Sequence, residues 1–153
     1  MKNIKGQSLF EVVIALAVVS LVAVAIVGLA TVSVKNSTYS DDKTSANFYA
    51  QESIEWLRQF RDENTWADFY VNGDVAPDGK TWCLPKVTEV VWDDNASEGT
   101  CNADDIIDGT NFTREITLTR DGIDVVIVDS DVSWTDSKGL HNTGISTIFS
   151  KWE

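Results

Sequence analysis

Positive charge is scarce in this chain. Across 153 residues, 12 Lys and Arg stand against 24 Asp and Glu, a formal net charge of −12. That balance excludes a general grip on nucleic acid, which needs many cations aimed at phosphates. It equally excludes a polybasic membrane-surface patch. Cysteine is scarce too, and two thiols cannot alone build a Cys-rich zinc or iron–sulfur site. There is one histidine, and no nucleophile elbow, zinc motif, P-loop or dinucleotide fingerprint. The expectation is therefore no enzyme, no cofactor and no metal. Internal repeats and low-complexity tracts are also absent. At 43% hydrophobic and 24% charged residues, the chain is not broadly disordered. Its mean hydropathy of −0.10 averages over two unlike segments.

The first segment lacks charge altogether. After Glu11 no charged residue occurs until Lys35, so residues 12–34 form a 23-residue run broken only by Ser20, Gly28, Thr31 and Ser33. As a helix it would be roughly 34 Å long, enough for a bilayer core of about 30 Å. Lys2 and Lys5 precede it, which places the N-terminus in the cytoplasm and everything after Lys35 outside. Taking Lys2 and Lys5 from the basic total leaves 10, and taking Glu11 from the acidic total leaves 23, so residues 35–153 carry −13.

Three readings of this leader are open: a plain signal anchor, a secretory signal cleaved near Ala23-Val24-Ala25, and a leader cut before the apolar span. Glu11 separates them. A carboxylate at the mouth of an apolar span is costly unless it finds a partner, and a translocation signal gains nothing from it. One partner would be a new α-amino group made by cutting just upstream in another copy or partner subunit. The stretch Lys5-Gly6-Gln7-Ser8-Leu9-Phe10-Glu11, followed by Val12-Val13-Ile14-Ala15-Leu16, resembles the class III signal of type IV pilins and pseudopilins. The resemblance implies cleavage after Gly6 by a prepilin peptidase. Gln7 would become the first mature residue, usually N-methylated in that family. Glu11 would pair with a neighbouring subunit's amine during assembly. The family's first mature residue is commonly apolar, and a terminal glutamine can instead cyclise, which removes the amine charge. Further implied partners are other pilin or pseudopilin subunits, an inner-membrane assembly platform, and lipid before assembly.

Beyond the span, residues 35–42 are polar without proline or glycine, so the helix can continue. Ala46, Tyr49, Ala50, Ile54, Leu57 and Phe60 then recur at helical spacing as one apolar stripe. One helix from about Ser8 to Phe60 follows, apolar all round in its first half and one-sided in its second. Ala50-Gln51-Glu52-Ser53-Ile54-Glu55 is similar to the corresponding region of minor pilins. Later segments 87–92, 113–119, 123–128, 132–134 and 145–149 are rich in β-branched residues and read as strands, with Asp121-Gly122 as a hairpin turn. Residues 61–82 and 93–112 read as loops. The expected fold is α+β, a long N-terminal helix on a C-terminal antiparallel sheet. The expected division is a leader at 1–6, a transmembrane or filament-core helix at 7–34, and an exported domain at 35–153.

Cys83 and Cys101 both fall in the exported part, where an even pair favours a disulfide. The loop they bracket is rich in acids, but Ile106 stands where an EF-hand-like loop needs an oxygen ligand, so a solvated acidic loop is expected rather than a calcium site. Of the six tryptophans, Trp92 and Trp134 are assigned to the helix–sheet interface, and Trp66 and Trp82, in loops, are the better candidates for an exposed contact. His141 is placed in a turn at Gly139-Leu140-His141-Asn142. Two function classes compete with a filament subunit. One is a membrane-anchored module that binds carbohydrate or protein through the loop tryptophans. The other is a secreted hydrolase whose apolar segment is a discarded signal.

Overall fold

A computed structural model describes residues 9–88 and 90–151. The chain divides into two compact units, Met1–Asp41 and Asp42–Glu153, and helix α1 (Leu9–Glu63) contributes to both. In the first unit α1 is all there is among the described residues. Every side chain from Leu9 to Thr38 is exposed. Two of the three hydroxyls inside the apolar run bond their own helix: Ser20 Oγ donates to the Ala17 carbonyl at 2.8 Å, and Thr31 Oγ1 to the Val27 carbonyl at 2.9 Å. Such back-bonding satisfies a polar group where no water reaches it.

In the second unit the expected stripe is buried. Ala46, Ala50, Ser53, Ile54, Leu57 and Phe60 all turn inward, joined by Trp56 and Arg61. They pack on a five-stranded antiparallel sheet of order β2-β1-β3-β4-β5, formed by β1 (Lys80–Cys83), β2 (Ser97–Glu98), β3 (Phe112–Arg120), β4 (Val125–Asp136) and β5 (Gly139–Ser150). Alternate residues Ile116 and Leu118 of β3, Val126 and Val128 of β4, and Phe149 of β5 complete the core beneath Ile54, Leu57 and Phe60. Fully burying a side chain of this size is worth about 1.5–3 kcal/mol, so this layer holds the unit together. Its architecture is α+β.

Some expectations require correction. Segments 123–128 and 132–134 fall in one strand, β4, which begins only at Val125. Asp129-Ser130-Asp131 does not interrupt it, because the two aspartates face outward and Ser130 faces inward, where its Oγ lies 2.7 Å from Ser53 Oγ. None of the described residues in 87–92 is in a strand. Trp92 instead opens the short helix α3 (Trp92–Asn95) and is buried against Trp56, Phe60 and Trp82. The stretches read as loops hold α2 (Trp66–Asn72), β1, α3 and β2. Helix α2 begins on a capping box, with Thr65 Oγ1 accepting from the Asp68 N–H and the Asp68 carboxylate accepting from the Thr65 N–H. It stops at Gly73, where an added Cβ would stand 2.5 Å from Leu118 Cδ1. The β3–β4 hairpin turns at Asp121-Gly122, with Gly122 at φ 85°, a conformation that costs glycine little.

Cys83, fully buried at the end of β1, is joined to Cys101, 18 positions further along the sequence, with Cα atoms 4.8 Å apart. A loop of that size removes about 3 kcal/mol of unfolded-state freedom in the chain-entropy model. The double change Cys83→Ser with Cys101→Ser is therefore expected to lower stability by about 3 kcal/mol. Urea unfolding of the detergent-solubilised chain, followed by tryptophan fluorescence, measures this.

Candidate functional site

The processing residues Gly6 and Gln7 lie outside the described residues, as do Ser8 and Trp152. Glu11 is in the first turn of α1 and exposed, directly before the uncharged run. The run itself presents side chains such as Leu21, Val24 and Leu29 to the surroundings over more than half of their area. A helix apolar on every face cannot rest in water, and its covering must come from lipid or from other helices.

Comparison with known families gives the same segment a meaning. Residues 1–32 match the family model described as the prokaryotic N-terminal methylation motif. The chain carries a type IV prepilin-like signal. No curated protein and no solved structure matches it. With the signal joined to a helix on an antiparallel sheet, the architecture is type IV pilin-like.

The second unit carries a polar assembly that ties helix to sheet. Arg114 occupies an inward position of β3, the same face as Ile116 and Leu118, and is fully buried. Its Nε donates to the Leu84 carbonyl at 3.0 Å. Its Nη1 donates to the Tyr49 carbonyl at 3.1 Å and to Glu52 Oε2 at 2.7 Å. Burial pulls the guanidinium below its ordinary pKa range, and the bond to Glu52 pulls it back upward. One side chain thus connects β3, the segment after β1, and α1. Sequence reading missed this role, although the parity of Arg114 with Ile116 and Leu118 already placed it on the inward face.

Each tryptophan among the described residues packs on at least one other aromatic ring. Trp92 and Trp134 are buried as expected. Trp66 and Trp82, the candidates for an exposed contact, are half-buried. Trp66 stacks on Phe69 at 5.5 Å, and Trp82 packs edge-on against Trp92 at 5.3 Å while its Nε1 donates to the Gly73 carbonyl. Burial of their rings in the aromatic layer outweighs the loop positions they occupy. Among the described residues the Trp92 Nε1 has no hydrogen-bond acceptor, and the ring sits among Trp56, Phe60 and Trp82, an aromatic surrounding that offers only weak N–H···π contacts.

His141 is not in a turn but in β5, opposite Trp134, on which it stacks. The turn is the preceding pair Ser137-Lys138, because Asp136 and Gly139 already pair across the hairpin. Asp136 Oδ1 accepts from the Lys138 N–H at 2.6 Å and lies 2.8 Å from His141 Nε2. These two contacts hold its carboxyl below the usual carboxylate range, the backbone N–H most of all. In the former acidic loop, Asp105 Oδ2 accepts from the Asn102 N–H and Nδ2. Among the described residues, no group of three or more His, Cys, Asp or Glu side chains comes together as a metal would require.

Two outcomes follow. Arg114→Met strips the Leu84 and Tyr49 carbonyls of their donor and leaves half-exposed Glu52 without its partner, so it is expected to cost about 2–5 kcal/mol, whereas Glu52→Gln keeps an oxygen acceptor for the guanidinium and is expected to cost less. Paired urea titrations compare them. Asp136 has a depressed pKa, so its contribution to stability is present above about pH 4, the unfolded value, and is lost as pH falls through the lower folded value. The stability difference between the parent and Asp136→Asn should shrink between pH 5 and pH 2, measured by the same unfolding experiment.

Proposed function

We propose that this chain is a structural subunit, a minor pilin or pseudopilin, of a type IV pilus or of a related secretion or DNA-uptake pseudopilus. The observation that carries the reading is the junction at Glu11. A prepilin-like signal over residues 1–32 runs directly into an exposed, uncharged helix, and the one carboxylate of the region stands at its mouth.

In this reading the precursor is held in the membrane by residues 12–34, with the N-terminus in the cytoplasm and the acidic domain exported. A prepilin peptidase cuts after Gly6, and Gln7 becomes the first residue. On assembly the apolar helix leaves lipid by packing on the helices of other subunits, where close van der Waals contact replaces acyl chains. Glu11 enters an apolar core at that point. An uncompensated carboxylate there is strongly unfavourable, so the helix docks where a neighbour's terminal amine can pair with it. The carboxylate thereby sets register as well as affinity. The inner-membrane assembly platform supplies the site of this transfer.

Glu11→Ala removes the pairing without touching the cleavage site. The expected result is normal processing after Gly6 with incorporation into sheared filaments reduced by about tenfold or more, equal to about 1.4 kcal/mol of docking energy. Quantitative immunoblotting of sheared filament and membrane fractions reads both. Normal incorporation of the alanine variant would sink the role assigned to Glu11.

A further inference from the structure

The two edges of the sheet are built differently. At one end β2 is two residues long, and its Glu98 is tied to Lys80 of β1. At the other end β5 runs for twelve residues in unbroken register with β4 and, among the described residues, has a strand on one side only. Soluble proteins blunt such an edge with charge, proline, a bulge or brevity. None of these is present. β5 contains no Asp, Glu, Lys, Arg or proline, while each of the other four strands carries at least one charged residue. Its outward face exposes Leu140 and Ile148. Along the inward side, a groove of about 310 Å³ separates β5 at Ile145 and Thr147 from α1 at Gln51, Ile54 and Arg58.

We infer that the outer edge of β5 accepts an extended segment of a partner polypeptide as a sixth strand. An edge of unused N–H and C=O groups is complemented only by another extended backbone, and the groove receives the alternate side chains of that strand. Charge selects the occupant. The exported part carries −13, so an acidic segment is repelled, whereas a neutral strand with basic ends meets a neutral edge in a negative field. A second copy of β5 is disfavoured by symmetry. Antiparallel self-pairing needs a two-fold axis normal to the sheet, which points the residue-42 ends of the two copies in opposite directions. Both chains enter one membrane at that end. This exclusion of a second copy rests on the membrane-anchored reading, and acceptance of a strand does not.

The test uses the full chain in detergent and a probe peptide of alternating threonine and valine with a lysine at each end, about twelve residues long. The peptide should slow amide exchange in residues 142–149 by about tenfold or more. The same peptide ending in aspartates should protect less. Ser146→Lys with Ile148→Lys places two charges at exposed positions of the edge and should abolish the protection while exchange in β3 stays unchanged. The inference is overturned if exchange in β5 does not slow, if it slows equally in the lysine variant, or if β5 becomes protected without peptide as protein concentration rises. The last result would make a second copy the occupant. None of these readouts depends on cleavage after Gly6 or on filament incorporation.

Discussion

Twenty-three consecutive uncharged residues have to be kept from water, and every one of them is exposed in the isolated chain. That requirement orders the rest. The helix is too long and too evenly apolar to be a core element, since a core helix hides one stripe and solvates the other. Two of its three hydroxyls, Ser20 and Thr31, are already satisfied within the helix, so the run asks little that is polar of its surroundings. Lipid meets the requirement for a single chain, and other helices of the same kind meet it in an assembly. Glu11 is the one group for which these two coverings differ sharply. At a membrane edge it can reach water, whereas inside a bundle it needs a cation.

The second half of α1 faces a different demand. Its stripe from Ala46 to Phe60 packs on the sheet, and the attachment is both apolar and specific. Apolar burial alone would tolerate sliding of a helix along a greasy sheet. Arg114 removes that freedom, because its three acceptors are the Tyr49 carbonyl and Glu52 carboxylate of α1 and the Leu84 carbonyl beside β1, and all three are reached at once only in one register. The Ser53–Ser130 contact adds a second polar pin between α1 and β4. The disulfide then fixes β1 to the loop that follows it. Polar groups thus define the alignment of a layer that apolar contacts stabilise.

Much of this was legible in the residues themselves. The uncharged run, the switch from all-round to one-sided apolar spacing near Ala46, the Asp121-Gly122 turn and the even cysteine pair each rest on local chemistry, and the structure has a long helix, a hairpin and a disulfide at those places. The failures have a common cause. β1 is four residues long, and Lys80-Thr81-Trp82-Cys83 becomes a strand through its pairing with β3 and the burial of Cys83, neither of which is local. Residues 87–92 have strand-like composition, but the side chain of Trp92 gains more by entering the aromatic cluster than the backbone would by extending. Trp66 and Trp82 were assigned by position in the chain, while their rings follow the nearest apolar surface. Only α2 was announced by a local signal that went unread, the Thr65-x-x-Asp68 cap.

The central claim is that this chain is made as a prepilin and cut ahead of its apolar helix. The most direct measurement is the mass of the N-terminal peptide of the mature protein, taken from cells that carry a prepilin peptidase. The account predicts a terminus at Gln7, methylated or cyclised, with Glu11 retained. A terminus within or beyond the apolar run, such as Ile26, would contradict it and leave a soluble secreted domain. An intact Met1 would also contradict it, reducing the segment to a plain anchor.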